Sequence, residues 1–422
     1  MNILIRSARI IDTGSADNGK TKDIWIVNGI IKEIGTAIKA ENATLLESEN
    51  LHISPGWFDM RVNFRDPGFE YKEDLFTGMD AAIAGGFTAV ACMPSTLPPI
   101  HSKSEVEYIL NKTKGFLVDV YPVGTVSHRH EGKDLSEMYD MHLSGAIAFS
   151  DDKKPLSDPG LLQRALLYVK SFNGLIISFP DDKNISLDGK INEGIVSTST
   201  GLKGIPGLAE ELMIQRDIFL TQYAESRIHF ATVSTANSVE LIRKSKKSGL
   251  NVTAEVSASH LILDENNLTS FDTNYKIKPP LRTANDIKAL IEGLIDGTID
   301  VICSDHSPED EEMKKREFDH AAFGIIALES AFGAANTALD GKLSIEKIIE
   351  KIAVNPRTIL NLKVPSIKVG EIANITLFNP NQKWVFEKKH IKSKSKNTPF
   401  VGSQFTGKPF AVVNNNQMSF CD

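Results

Sequence analysis

Between Pro55 and Pro365, short apolar runs of strand character alternate with amphipathic runs of helical period. That alternation constrains the fold more than any other feature. "FTAVACMP", "FLVDVYPVGTV", "GAIAFSDD", "GLIISFPD", "RIHFATVS", "NVTAEVSASHL" and "TIDVICSDH" read as strands. "EVEYILNKT", "DPGLLQRALLYVKSF", "LAEELMIQRDIFLTQYAE" and "SVELIRKSKKSG" read as helices between them. Repeated βα units over roughly 300 residues predict an α/β protein, a TIM-like (β/α)8 barrel whose site lies where strands end and loops begin. Two long polar segments, residues 181–204 and 308–324, read as mobile lids over that end.

The chain ends have a different texture. Residues 1–54 and 366–422 alternate in short β-like bursts, with Asn28-Gly29 as a hairpin turn, and predict one small β-sandwich-like domain built from both termini around a barrel of residues 55–365. Composition sets the remaining bounds. A net charge of -7 gives no electrostatic reason for a nucleic-acid or anionic-membrane partner. The run from Ala81 to Met93 is too short to span a bilayer. Cys92, Cys303 and Cys421 lack metal or disulfide spacing, which with no visible signal peptide predicts a reducing, cytoplasmic home.

Asp59, Arg61 and Asn63 follow Pro55-Gly56 at every second position, so on a strand they share one face. This segment belongs to "PGWFDMRVNFRDPGFEYKEDLFTGMDAAIAGGFTAVACMPSTLPP". It is followed by "AIAFSDD", "GIPGLAEELMIQRD", "VTAEVSASHLIL", "YKIKPPLR", "GTIDVICSDHSPE" and "AAFGIIALESAFGAANT". In this order, and over nearly the whole chain, these motifs resemble the bacterial type I dihydroorotases of the amidohydrolase superfamily. That family opens or closes the cyclic amide of dihydroorotate in pyrimidine biosynthesis and uses zinc.

Carried over position by position, the resemblance implies a dismantled metal site. The four histidine ligands of the family fall on Arg61, Asn63, Ser178 and Thr232. The surviving carboxylates are Asp151, matching the metal-bridging acid, and Asp305, matching the general base. Arg65 matches the arginine that grips the substrate carboxylate. Other substrate positions have changed, to Ser95, Lys278 and Glu309. Zinc sites need imidazole, thiolate and carboxylate donors, and two carboxylates beside an amide and two hydroxyls do not assemble one. No cofactor is therefore expected. Arg61 is expected to pair with Asp151 or Asp305 and to replace the metal as filler.

Other histidines offer no rescue. His128 and His130 read as a solvated loop pair, His229 as packed away from the Thr232 face, His260 as structural, and His306 as facing away from Asp305. Gly85-Gly86 reads as a tight turn, Cys303 as core, and Asp59 as structural. The expected function is a catalytically inactive dihydroorotase-like protein, with aspartate transcarbamoylase as the protein partner that the resemblance implies and a homo-oligomeric state. The alternative is a working dihydroorotase or related cyclic amidohydrolase with an atypical metal site.

Overall fold

A computed structural model describes all 422 residues. Five parallel ladders form two open sheets. Trp57–Val62, Phe87–Cys92 and Asp119–Pro122 pair in order, as do Ile176–Ser178, Ile228–Phe230, Val252–Ser257 and Val301–Cys303. Single parallel bridges from Phe149 to Gly124 and Ile176, and from Val62 to His306, close the ring. The eight-stranded barrel is thus complete, although its fourth strand, in "GAIAFSDD", is reduced to the bridges of Phe149.

Two apolar layers sandwich this ring. Phe58, Met60, Ala89, Ala91, Val123, Ala148, Ile177, Ala231 and Val301 form one inner cluster, drawn from successive strands. The residues of opposite parity, such as Val90, Val120, Phe230 and Ile302, join the larger cluster under the helices. Strands buried on both faces explain why they read as continuous apolar runs rather than alternating ones. The helices start on side-chain caps: Asp74 with Thr77, Ser102 with Glu105, Asp158, Thr235, and Thr283 with Asp286. None is long and apolar enough to cross a membrane.

Both chain ends enter one eight-stranded sheet. Its order runs from Gln417–Phe420 through Gln404–Asn414, Ile375–Val385, His52–Pro55 and Asn2–Ile10 to Thr21–Val27 and Ile30–Gly35, with Thr44–Leu46 on Asn2–Ile10. Asn28 and Gly29 have φ of 50° and 78°, the left-handed pair that a two-residue hairpin needs.

The two segments expected to be mobile lids are instead organised. Residues 181–204 contain two short helices, and Ile191–Asn192 pairs with Gly204–Ile205. In residues 308–324, the buried Lys276 ammonium donates to Phe318, Asp319 and Ala321 carbonyls, while Lys314 donates to those of Ala322 and Gly324. Carbonyls clustered on an ammonium fix a loop that its sequence alone leaves free.

Candidate functional site

The C-terminal ends of the barrel strands bring Arg61, Asp152, Lys153, Glu255 and Asp305 together. Arg61, fully buried, donates from Nη2 to Asp152 (2.5 Å) and from Nε to Asp305 (3.2 Å), with Nη1 3.8 Å from Glu255. Lys153 donates to the second oxygen of Asp305 (2.7 Å) and to the Lys278 carbonyl (2.5 Å). Burial opposes the Arg61 charge, but Asp152, Asp305 and Glu255 outweigh it and raise its pKa above the usual arginine value. Burial likewise opposes the Asp152 charge, yet Arg61 and Lys153 hold that carboxyl below its usual range. Asp305 is raised by burial against the pull of Lys153 and Arg61.

The sequence assigns the first of the two adjacent aspartates to this cluster, and the structure corrects it to the second. Asp151 points away, accepting from the Val126 and Ser127 amides (2.8 and 3.0 Å) and from the Ser127 hydroxyl. Burial pushes its pKa up to about 6. Asp152 faces the cluster with φ of 49° and also accepts from Ser95 Oγ at 2.6 Å. Arg65, Thr232 and Asp305 share this left-handed backbone, at 61°, 45° and 54°. Four such residues at the strand ends each cost of order 1–3 kcal/mol and persist only where surrounding contacts over-determine them.

Around the cluster lies a cavity of about 230 Å³ lined by Arg65, Ser95, Lys153, Lys278, Ser307 and Glu309, among others. Its charges are also paired internally. Glu309 accepts from Arg65 (3.0 Å) and Lys72 (2.6 Å), and Lys278 pairs with Asp181 (2.6 Å). Five cations, Arg61, Arg65, Lys72, Lys153 and Lys278, thus meet five carboxylates, Asp152, Asp181, Glu255, Asp305 and Glu309. The remaining positions of interest are quiet. Ser178 donates to Asp217 (2.6 Å), and the buried Asn63 amide and Thr232 hydroxyl have no partner in the protein.

Zinc does not fit these residues. Both carboxylates that face one another across the cluster are bonded to a guanidinium or an ammonium of the same chain, and no imidazole joins them. Nowhere do three or more His, Cys, Asp or Glu side chains converge as a metal-binding group.

The histidines differ in one respect from their sequence reading. His130 is buried rather than solvated, and burial lowers its pKa to about 4, whereas His128 is exposed. His229 is packed, with Nδ1 at 2.8 Å from Thr253 Oγ1 and Nε2 at 3.4 Å from Glu255, so it touches the cluster through that glutamate. His306 turns from the cavity toward Glu73, at 3.4 Å. Asp59 is structural, accepting from the Arg61 and Ser304 amides at 2.9 Å each; burial pushes its pKa up to about 7.

His260 contacts Ser257 Oγ (2.7 Å) and the Pro279 carbonyl (3.2 Å), and burial lowers its pKa to about 4. An unfolded histidine takes its proton near 6.5, so between those values the unfolded chain binds the extra proton. The stability tied to His260 is therefore complete above about pH 6.5 and lost as pH falls through about 4. Urea unfolding midpoints from pH 7 to 4 are expected to fall less steeply for His260→Gln than for the parent, by at most about 3 kcal/mol over the range. Parallel slopes would show that His260 does not titrate this way.

Sequence reasoning missed Asp152, Lys153, Lys72, Glu255 and Asp181. Glu255 had a signal, a lone carboxylate inside the apolar strand "NVTAEVSA". Lys153 had a weaker one, lying directly after two aspartates at a strand end.

Comparison with known proteins decides the lineage. Residues 51–238 match the family described as dihydro-orotase-like, and residues 198–415 the amidohydrolase family. A dihydroorotase of Acetivibrio thermocellus is 43% identical over 419 residues, covering 98% of each chain. That of Syntrophus aciditrophicus is 42% identical, covering 97% of this chain and 96% of its own. The chain belongs to the dihydroorotase family. Among solved structures, an L-hydantoinase (dihydropyrimidinase) from Arthrobacter aurescens shares the fold, with a TM-score of 0.85 at 21% identity over 99% of this chain and 95% of its own. A D-hydantoinase from Thermus sp. superposes with a TM-score of 0.83, also at 21% identity and the same coverage. Within this dihydroorotase-family barrel, a guanidinium and an ammonium bond the carboxylates at the mouth.

Proposed function

We propose that this chain is a dihydroorotase-family protein without hydrolase chemistry, serving as a structural or regulatory partner in pyrimidine biosynthesis. One observation carries the reading: each carboxylate at the barrel mouth is held by a cation of the same chain. An ionised carboxylate bound to a fixed guanidinium is a poor metal ligand, because binding the metal first means breaking a charge-assisted pair in a desolvated place. Arg65 meets the same objection as an anchor for a substrate carboxylate, since Glu309 already occupies it. Aspartate transcarbamoylase is the partner that family resemblance implies.

A second reading has support of its own. Relatives above 40% identity are named dihydroorotase, and Arg65 and Asp305 both line the 230 Å³ cavity. In that reading the protein is a cyclic amidohydrolase of atypical site.

Zinc equilibration followed by metal analysis, with dihydroorotate turnover on the same sample, separates the two. The expected result is well under one ion per chain and no turnover. One or two tightly held ions with turnover would overturn the proposal. Comigration with aspartate transcarbamoylase in native separations tests the partner, and consistent migration alone counts against it.

A further inference from the structure

Asp152 lines the cavity at the barrel mouth, whereas its neighbour Asp151 lines a second one, of about 120 Å³. The other walls of this second cavity include His130, Lys154, Ser157 and Lys183, and no hydrophobic side chain is among them. Its volume is several times the ~30 Å³ that one water occupies in the liquid. His130 is the unusual member. The residue is only 8% exposed, and its Nε2 is sealed from solvent with no hydrogen-bond partner. Buried polar atoms are nearly always paired, so an unpaired imidazole in the wall of a polar cavity marks a partner that the protein itself does not supply.

We propose that this cavity is a binding site for a phosphate dianion, either free or as the terminal group of a small phosphomonoester. The charge balance selects the ligand. At the barrel mouth each cation meets a carboxylate, but Lys154 and Lys183 enter no salt bridge and their ammonium groups donate to no protein acceptor. The carboxylates in the lining do not use them. Asp151 accepts from the Val126 and Ser127 amides and from the Ser127 hydroxyl, and Glu131 is exposed, 3.7 Å from Lys133. Lys154 nevertheless stands close to both walls. After the dominant effect of burial, its charge lowers the pKa of His130 and of Asp151.

The donors fit a tetrahedral oxyanion. Two ammonium groups supply the opposing charge, and the Ser157 hydroxyl and the His130 ring add uncharged donors. Lysine is a compact point charge that binds phosphate without the planar geometry that arginine demands. A metal ion finds no such set here, because no three His, Cys, Asp or Glu side chains converge and both free lysines repel it. A bound anion would tie Lys183, in the segment 181–204, to Lys154, directly after the fourth barrel strand. The site stands apart from the charge cluster, so it does not depend on whether the mouth performs chemistry.

The test uses the full chain near neutral pH, dialysed free of phosphate and held at constant ionic strength with chloride. Titration calorimetry with inorganic phosphate is expected to show saturable binding at one site per chain, with a melting temperature that rises with phosphate. Methyl phosphate bound as tightly identifies the terminal group of a monoester as the ligand, and its rejection identifies free phosphate. Lys154→Ala and Lys183→Ala, both at exposed positions, should each weaken binding about tenfold, while Lys247→Ala, exposed outside the cavity, leaves it unchanged. His130→Phe keeps a ring in place and removes both nitrogens. It should bind phosphate several-fold more weakly, yet melt no lower than the parent when phosphate is absent, the reverse of what a structural histidine would show. Binding that never saturates overturns the proposal, as does an equal effect of acetate or a loss as large in Lys247→Ala. So does affinity unchanged in His130→Phe, or retained in the double variant Lys154→Ala, Lys183→Ala, which would place the anion at the mouth beside Lys153 and Lys278.

Discussion

Arg61→Met is expected to destabilise the protein by about 3–5 kcal/mol, the usual effect of removing one partner from a buried charge cluster. Methionine keeps the length and apolar stem of the side chain, so little packing is lost. What disappears is the counter-charge. Asp152 then retains the Ser95 hydroxyl and the more distant charges of Lys153 and Arg65, and Glu255 retains His229. Arg61→Lys should fall between parent and methionine variant, because an ammonium restores the charge but not the fork that reaches Asp152 and Asp305 together. The double variant Arg61→Met, Asp152→Asn should recover part of the loss, and the cycle reports the coupling of the pair. Urea unfolding at pH 7 measures these proteins together with Asp152→Asn alone, which closes the cycle. A methionine variant within about 1 kcal/mol of the parent would sink the view that Arg61 neutralises this core.

The pairing also explains where the sequence was legible and where it failed. Barrel strands and helices carry their pattern in apolar periodicity, and the Asn28-Gly29 turn in backbone chemistry, so both could be read residue by residue. The fourth strand was legible as an apolar run, though only Phe149 bridges its neighbours. The pairing of Arg61 with Asp305 was read correctly, although the ladder register shifts between Asp59 and Val62 and Asp305 itself has a left-handed backbone. The assignment slipped by one residue at Asp151 because alternation stops where the strand stops. A left-handed residue at Asp152 turns the chain, and a slip of one position exchanges the inward and outward faces. Lys153 escaped for a related reason. Its ammonium reaches Asp305 across 152 residues of sequence, a contact that only the closed barrel creates. The loop 308–324 was misread because its order comes from Lys276 and Lys314, whose partners are backbone carbonyls that no side-chain pattern announces, and the loop 181–204 because its helices and its two-residue strand pair are too short to show a period.

These contacts sharpen the expected outcome of rebuilding a metal site. Placing histidine at Arg61, Asn63, Ser178 and Thr232 supplies the missing donors and removes one cation. Lys153 still donates to Asp305, however, so the four substitutions alone should give weak zinc binding. Adding Lys153→Ala frees that oxygen, and the five-fold variant is expected to retain at least one zinc per chain after dialysis. Two of the positions should accept the change readily, since the Asn63 amide and Thr232 hydroxyl have no protein partner to lose. Ser178→His must displace a bond to Asp217, which keeps Arg216. Metal analysis should be read beside the melting temperature, because a ligand bound only by the folded state raises it. Zinc held by the four-fold variant would mean that the ammonium swings aside and does not guard Asp305. No zinc in a folded five-fold variant would mean that these positions do not surround one site, and the argument from ancestry would fail with it.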